Sequence, residues 1–139
     1  MAAFNKFNAF VENLAEKTFN LQTDTLRIML TNAAPVATNS VRANLTEISA
    51  GNGYTAGGTA CTVSSSAQTS GTYKLVLADV VFTASGGVIG PFRYAVLYDD
   101  TATNDELIGW WDYGSSITLA DTETFTVDFD PTAGVMTLA

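Results

Sequence analysis

The sequence predicts an all-β fold: an antiparallel β-sandwich of about seven to nine strands with one short N-terminal amphipathic helix. Three observations carry this. Apolar and polar residues alternate at period two through residues 25–31 and 124–130. Clusters of Gly, Asn, Ser and Pro separate such runs at short intervals, as turns between strands do. The third is Gly90–Pro91–Phe92–Arg93–Tyr94–Ala95–Val96–Leu97–Tyr98, which is apolar on both sides. Phe92, Tyr94, Val96 and Tyr98 share one side of an extended chain, and Arg93, Ala95 and Leu97 share the other. A strand covered on both faces belongs near the middle of a packed sheet. Pro91 stands at its start, where a missing N–H does least harm.

The elements follow in order. Phe7, Phe10, Val11 and Leu14 recur at helical spacing and Phe4 extends their stripe, so residues 4–17 read as an amphipathic helix. So short a helix is marginal alone and must lie against the sheet or a neighbouring subunit. Residues 25–31 form a strand with Leu26, Ile28 and Leu30 inward, Arg27 outward and Met29 half covered. The polar passage after it is too long for a hairpin and reads as a crossover between sheets. Residues 43–49 fit a short strand or a helical turn equally well.

Gly51–Asn52–Gly53–Tyr54–Thr55–Ala56–Gly57–Gly58 is the densest run of glycines. It lacks the Lys–Ser/Thr of a phosphate-binding loop and does not open a helix, so a surface turn of positive φ, with Tyr54 folded back as an anchor, is expected. Strands are expected over 59–67 and 72–82, joined near Thr69–Ser70–Gly71, with a bulge at Ala78–Asp79 where the apolar phase shifts. The adjacent Trp110 and Trp111 point to opposite faces of their strand, one into the core and one towards a partner, a loop or solvent. Residues 115–119 form a further short strand or connection. Phe125, Val127 and Phe129 alternate with polar residues, Asp130–Pro131–Thr132–Ala133–Gly134 makes a turn, and 135–138 closes the sheet. The chain divides into an N-terminal helical segment, 1–20, able to act as a contact arm, and a single β-sandwich domain, 21–139.

A chain of 139 residues, 47 % of them hydrophobic, has enough material for one core without metals or staples. A single cysteine, Cys61, excludes an intrachain disulfide. No apolar run is long enough to span a bilayer and no leader pattern is present, so neither a membrane protein nor a secretory precursor is expected. The net charge of −8 is uneven. Residues 1–50 balance, and from Asp99 to Asp130 there are nine acidic residues and no basic one. Direct binding to a nucleic-acid backbone is thereby disfavoured. A basic protein partner suits this half, as does plain solubility.

Candidate chemistry is sparse. With no histidine, the usual general base and the commonest transition-metal ligand are missing, and nothing activates the serines. Cys61 lies in a strand-like run, where a buried, inert thiol is the default. Asp128 and Asp130 share a face and Asp112 lies on another strand, but a glycosidase pair needs one acid raised by burial, and these sit on a solvated face. Calcium candidates are Asp99, Asp100, Asp105 and Glu106, although no Asp-x-Asp-x-Asp-Gly loop is present. Tyr54, Trp110, Trp111 and Tyr113 are aromatic candidates for an interface or a sugar platform; core packing is the simpler role for either tryptophan.

Four segments together carry a resemblance: Asp24–Thr25–Leu26–Arg27–Ile28–Met29–Leu30–Thr31, the glycine run from Gly51 to Gly58, Phe92–Arg93–Tyr94–Ala95–Val96–Leu97–Tyr98, and Leu107–Ile108–Gly109–Trp110–Trp111–Asp112–Tyr113–Gly114. With the terminal Thr124–Phe125–Thr126–Val127–Asp128–Phe129–Asp130, they resemble a family of small tailed-bacteriophage proteins, mostly encoded among virion genes, along nearly the whole chain. The resemblance implies a non-enzymatic virion structural protein without a cofactor, made in the host cytoplasm and placed on the capsid exterior as a decoration or cement protein. It implies the major capsid protein or another virion protein as partner, and a homo-oligomer such as a trimer. A tail or head-fibre component that binds carbohydrate for host attachment is the alternative. On the capsid reading Phe4, Phe7 and Phe10 join Tyr54, Trp110, Trp111 and Tyr113 as candidate interface residues, the N-terminal segment ordering against the shell.

Overall fold

The computed structural model describes residues 2–139 and is all-β, sandwich-like and antiparallel throughout. One five-stranded sheet holds β1 (Asn5–Lys6), β2 (Leu26–Thr31), β3 (Thr59–Ala60), β7 (Ile89–Asp99) and β8 (Leu107–Leu119) in the order β1-β8-β7-β2-β3. Opposite it lie a three-stranded sheet, β10-β5-β4, and a pair, β6-β9. These use β4 (Val63–Thr69), β5 (Thr72–Leu77), β6 (Val80–Thr83), β9 (Thr124–Val127) and β10 (Met136–Leu138). β7 is the middle strand of the large sheet, as its doubly apolar sequence requires. The count of ten among the described residues exceeds the expected seven to nine because β1 and β3 are two-residue edge pieces.

Two cores result. The larger lies between the sheets and takes Leu26, Ile28 and Leu30 from β2, Leu97 from β7, Trp111 from β8, Leu75 and Leu77 from β5, and Phe82 from β6. The smaller lies on the outer face of the large sheet, where Phe7, Met29, Val96, Tyr98 and Leu107 pack with Leu45 and Trp110. Met29 is therefore fully buried, where half-cover was expected. What covers this face is the long connection from β2 to β3. It carries a 3₁₀ turn, Arg42–Asn44, in the region left open between strand and helical turn. It returns to the sheet it left, so the crossover expected after β2 occurs later, at residues 61–62 between β3 and β4. Its backbone is tied down along its length: Asn8 N–H donates to Ala37 O (2.9 Å), Leu107 N–H to Ser40 O (3.0 Å) and Ile48 N–H to Leu30 O (3.1 Å).

The expected single side of Phe92, Tyr94, Val96 and Tyr98 is divided. Phe92 joins Ala95 and Leu97 in the larger core, whereas Val96 and Tyr98 belong to the smaller. The register with β8 shifts between Phe92, opposite Ile117, and Tyr94, opposite Asp112, and this irregularity flips the side-chain phase. β8 absorbs the excess residues around Gly114 (φ 88°) and so runs as one strand through the region expected as two. At Ala78–Asp79 the expected bulge is a complete break: β5 pairs with β4 and β10, and β6 with β9.

The N-terminal helix is shorter than the 4–17 expected. Residues 5–6 pair with Trp110 and Gly109 on β8, and only α1 (Ala9–Ala15) is helical. The chain thus turns around the β8 edge, with Phe7 in the smaller core and Phe10 in the larger. Helical spacing of the phenylalanines arose from this passage between two cores, which a single amphipathic stripe mimics.

Gly58 (φ +78°) packs so closely on β2 that a β-carbon would overlap the Ile28 carbonyl, while Gly71 (φ +85°) at the β4–β5 turn faces open space. Gly58→Ala is expected to cost more than about 3 kcal/mol, since backbone must move, and Gly71→Ala about 1 kcal/mol, the conformational strain alone. Urea unfolding of the two variants checks the difference; equal losses would mean that the Gly58 approach is not a constraint.

Candidate interaction site

The densest polar arrangement sits where the β2–β3 connection meets the large sheet, and Glu47 is its centre. Its Oε1 accepts hydrogen bonds from Tyr54 Oη (2.7 Å) and Gly57 N–H (2.6 Å), and its Oε2 accepts one from Arg42 Nη2 (2.8 Å). Arg42 reaches Asp105 with its other nitrogen (3.3 Å) and lies over the Tyr98 ring, 5.5 Å from the centroid. Tyr54 Oη accepts from Leu30 N–H (3.0 Å), and Tyr98 Oη donates to Gly57 O (2.6 Å). Burial holds the Tyr54 phenol far above its ordinary range and lifts Tyr98 to about 12. Hydrogen bonding to Glu47 raises Arg42 further still. Both phenols stay neutral, and the arginine stays charged, at any physiological pH. Such groups bind structure together; none is poised to transfer a proton.

A second arrangement lies at the far end of β7. Asp99 is fully buried; its Oδ1 accepts from Thr101 N–H (2.9 Å) and Ala102 N–H (3.1 Å), while Oδ2 has no donor among the described residues. Burial, then the adjoining Asp24 carboxyl, raise Asp99 to about 7. A second carboxyl group beside a buried one disfavours its ionisation. Asp24 in turn accepts from Asn20 N–H (2.8 Å), so the pair joins the loop after α1 to the end of β7.

The calcium candidates are not brought together as one ligand set. Asp100 pairs with Arg27 (3.0 Å), Asp105 with Arg42, Glu106 accepts from Asn104, and Asp99 is the buried member of the acid pair. Asp112 is gripped by Arg93 through two bonds (2.7 and 3.0 Å), which holds it below the usual carboxylate range. Asp128 and Asp130 are exposed, and Asp130 caps its turn by accepting from Thr132 and Ala133 N–H. Cys61 is partly exposed where a buried thiol was expected, and desolvation pushes it up to about 12.

Among the interface candidates, Phe7, Phe10, Tyr54 and Trp111 are buried inside the chain's own cores. Phe4, Trp110 and Tyr113 remain partly exposed. Trp110 rests on Phe7 (4.5 Å between centroids), Phe4 on Trp111 (5.3 Å) and Tyr113 edge-on against Phe125 (4.9 Å). Of the expected contact arm 1–20, the described residues 2–20 are built into both cores through Phe7, Phe10 and Phe19, and exposed positions include Lys6, Val11, Glu12 and Glu16.

Two surface features went unread in the sequence. One is β4, the outer strand of the three-stranded sheet. The other is a groove of about 590 Å³ beside it, where Leu14, Phe19, Leu21, Tyr73 and Leu138 meet Lys17, Asp24 and Ser66. Both depend on which strands pair, which local pattern does not encode. Comparison with known protein families, characterised proteins and solved structures finds no match for this chain.

Tyr54→Phe removes a donor to Glu47 and the acceptor of Leu30 N–H, and a loss of about 1–3 kcal/mol is expected in chemical unfolding. An unchanged midpoint would remove Glu47 from its central place. The Asp99 shift predicts an unusual pH dependence. A carboxyl whose folded pKa is raised stabilises the fold fully below its unfolded value, so stability declines as pH rises from about 4 to about 7 and levels above. With no histidine in the chain, no other side chain of ordinary pKa titrates between pH 5 and pH 8. Asp99→Asn, which keeps a neutral side chain, is expected to flatten this decline; denaturant midpoints at pH 5 and pH 8 for both proteins measure it.

Proposed function

We propose that this chain is a non-enzymatic structural component of a tailed-phage virion, a decoration or cement protein on the capsid exterior. The observation that supports this best is where the four phage-like segments lie. Three of them form β2, β7 and β8, the centre of the large sheet, and the fourth is the glycine run bound to Glu47 and Tyr98. Their polar groups are occupied with one another: Arg93 pairs with Asp112, Tyr98 Oη donates to Gly57 O, and Leu30 N–H donates to Tyr54 Oη. Residues used this way maintain a rigid scaffold, and a scaffold is what a protein that adds bound area to a shell requires.

On this reading the partner is the major capsid protein or another virion protein, engaged by a symmetric homo-oligomer such as a trimer. The acidic surface between Asp99 and Asp130 faces basic shell surface or solvent. The alternative, a tail or head-fibre component that stacks host sugars on an aromatic ring, needs a flat exposed platform. Trp111 is buried, and Trp110 and Tyr113, packed on Phe7 and Phe125, are only partly exposed, which favours the capsid reading.

Particles assembled without this chain are expected to lose integrity at lower temperature than complete ones, with stability restored by adding the purified protein back. Equal sensitivity of the two particles to heat and to chelation would count against a cement role. Electron cryomicroscopy separates the alternatives, because a decoration protein repeats across the head lattice while a fibre component is confined to the tail or fibre tips.

A further inference from the structure

The strand β4 is seven residues long and lies at the end of the order β10-β5-β4, with β5 as its single strand neighbour among the described residues. The turn that joins it to β5 has Ser70 at φ 51° and Gly71 at φ 85°, the geometry of a two-residue hairpin. In such a hairpin the flanking pair, Thr69 and Thr72, exchanges backbone hydrogen bonds, and the pattern alternates from there. The N–H and C=O groups of Ala67 and Ser65 therefore face β5, and those of Gln68 and Ser66 face outward. Sheet edges are ordinarily blunted by charge, proline, shortness or cover. The other edge strands here are two to four residues long. β4 is longer and contains neither a charged residue nor a proline; its one irregularity, a register shift between Val63 and Ser65, lies at the end away from the turn and leaves Ser65–Thr69 regular.

We propose that β4 is a self-association edge, on which a second copy of this chain adds its own β4 antiparallel across a two-fold axis at Ser66. The axis sets Ser66 opposite Ser66 of the second copy and Ser64 opposite Gln68, so that each outward donor meets an outward acceptor. Two three-stranded sheets become one sheet of six strands.

Charge identifies the occupant. The chain carries −8, yet residues 48–73 contain no charged side chain at all. An acidic chain meets its own copy most readily where like charge does not accumulate; β4 lies within that neutral stretch, and the charges beside it are mixed, Lys17 and Asp24 near Ser66 and Lys74, Asp79 and Asp128 near Ser64 and Ser65. A basic partner would be drawn to the acidic half instead. The groove beside Ser66 adds apolar surface, from Leu14, Phe19, Tyr73 and Leu138, which an added strand would help to cover. This contact does not depend on the virion reading and can be tested on the isolated protein.

Sedimentation equilibrium of the full chain, combined with amide hydrogen exchange at low and high protein concentration, tests it. The wild type is expected to shift from monomer to dimer with concentration, with the Ser66 and Gln68 amides becoming protected in step. Ser66→Pro removes one outward N–H without touching the β5 ladder. The double variant Ser64→Lys and Gln68→Lys places charges on the edge at exposed positions, and covers the case in which the proline variant fails to fold. A folded edge variant is expected to remain monomeric, its unfolding midpoint lowered only by loss of the Ser66–Tyr73 or the Gln68–Gly71 hydrogen bond. A wild type that stays monomeric at high concentration would overturn the proposal. So would a dimer whose Ser66 and Gln68 amides exchange freely, or one that persists in the double lysine variant.

Discussion

One carboxylate holds the long connection to the sheet. Glu47 accepts hydrogen bonds from a phenol, a backbone amide and a guanidinium, contributed by Tyr54, Gly57 and Arg42. Without it each of the three donors would lose its acceptor in a partly buried place, and an unmet donor there costs about 1–3 kcal/mol. The connection so anchored is also the cover of the second core, over Met29, Val96 and Tyr98. A sheet with two apolar faces is stable only when both are covered, so the large sheet and its polar clamp depend on each other. Gly57 and Gly58 fit the same constraint: both have positive φ, a side chain at Gly58 would overlap β2, and one at Gly57 would crowd the Tyr98 hydroxyl.

The opposite edge of the same sheet is closed by a different device. Residues 5–6 pair with β8, and the chain then passes round the edge, with Phe7 against Trp110 on one side and Phe10 in the larger core on the other. This covers the strand edge that β8 would otherwise present. It also spends the N-terminal phenylalanines on the fold. An N-terminal contact with a shell would rest on Phe4 and the polar side chains of α1 rather than on an apolar stripe.

Much of the fold was legible because its signals are local. Alternation marked β2 and β9, a run apolar on both sides marked β7, the glycine run announced a turn with Tyr54 folded inward, and the adjacent tryptophans of β8 had to point apart. Where reading failed, non-local pairing decided the outcome. The phase of β7 reverses at Phe92–Tyr94 because β8 carries extra residues there, and nothing within β7 signals it. Phe7 and Phe10 have helical spacing but belong to different cores. Glu47 stood in a stretch that fitted strand or helical turn, and its role arises from partners on either side of it, Arg42 before and Tyr54 and Gly57 after, that only the folded connection gathers. The Asp24–Asp99 pair, 75 positions apart in sequence, had no local signature at all. Its one clue was an acidic residue at the end of a strand that is otherwise apolar.

The central claim is that the clamp at Glu47 makes connection and sheet a single cooperative unit. Native-state hydrogen exchange of the Leu30 and Gly57 amides, bonded to Tyr54 and Glu47, tests it most directly. They are expected to exchange only through global unfolding, with the same free energy and denaturant dependence as the Val96 and Trp111 amides in the middle of the sheet. Exchange of Leu30 and Gly57 through a low-energy local opening, while Val96 and Trp111 stay protected, would contradict the claim and make the connection a separately mobile lid.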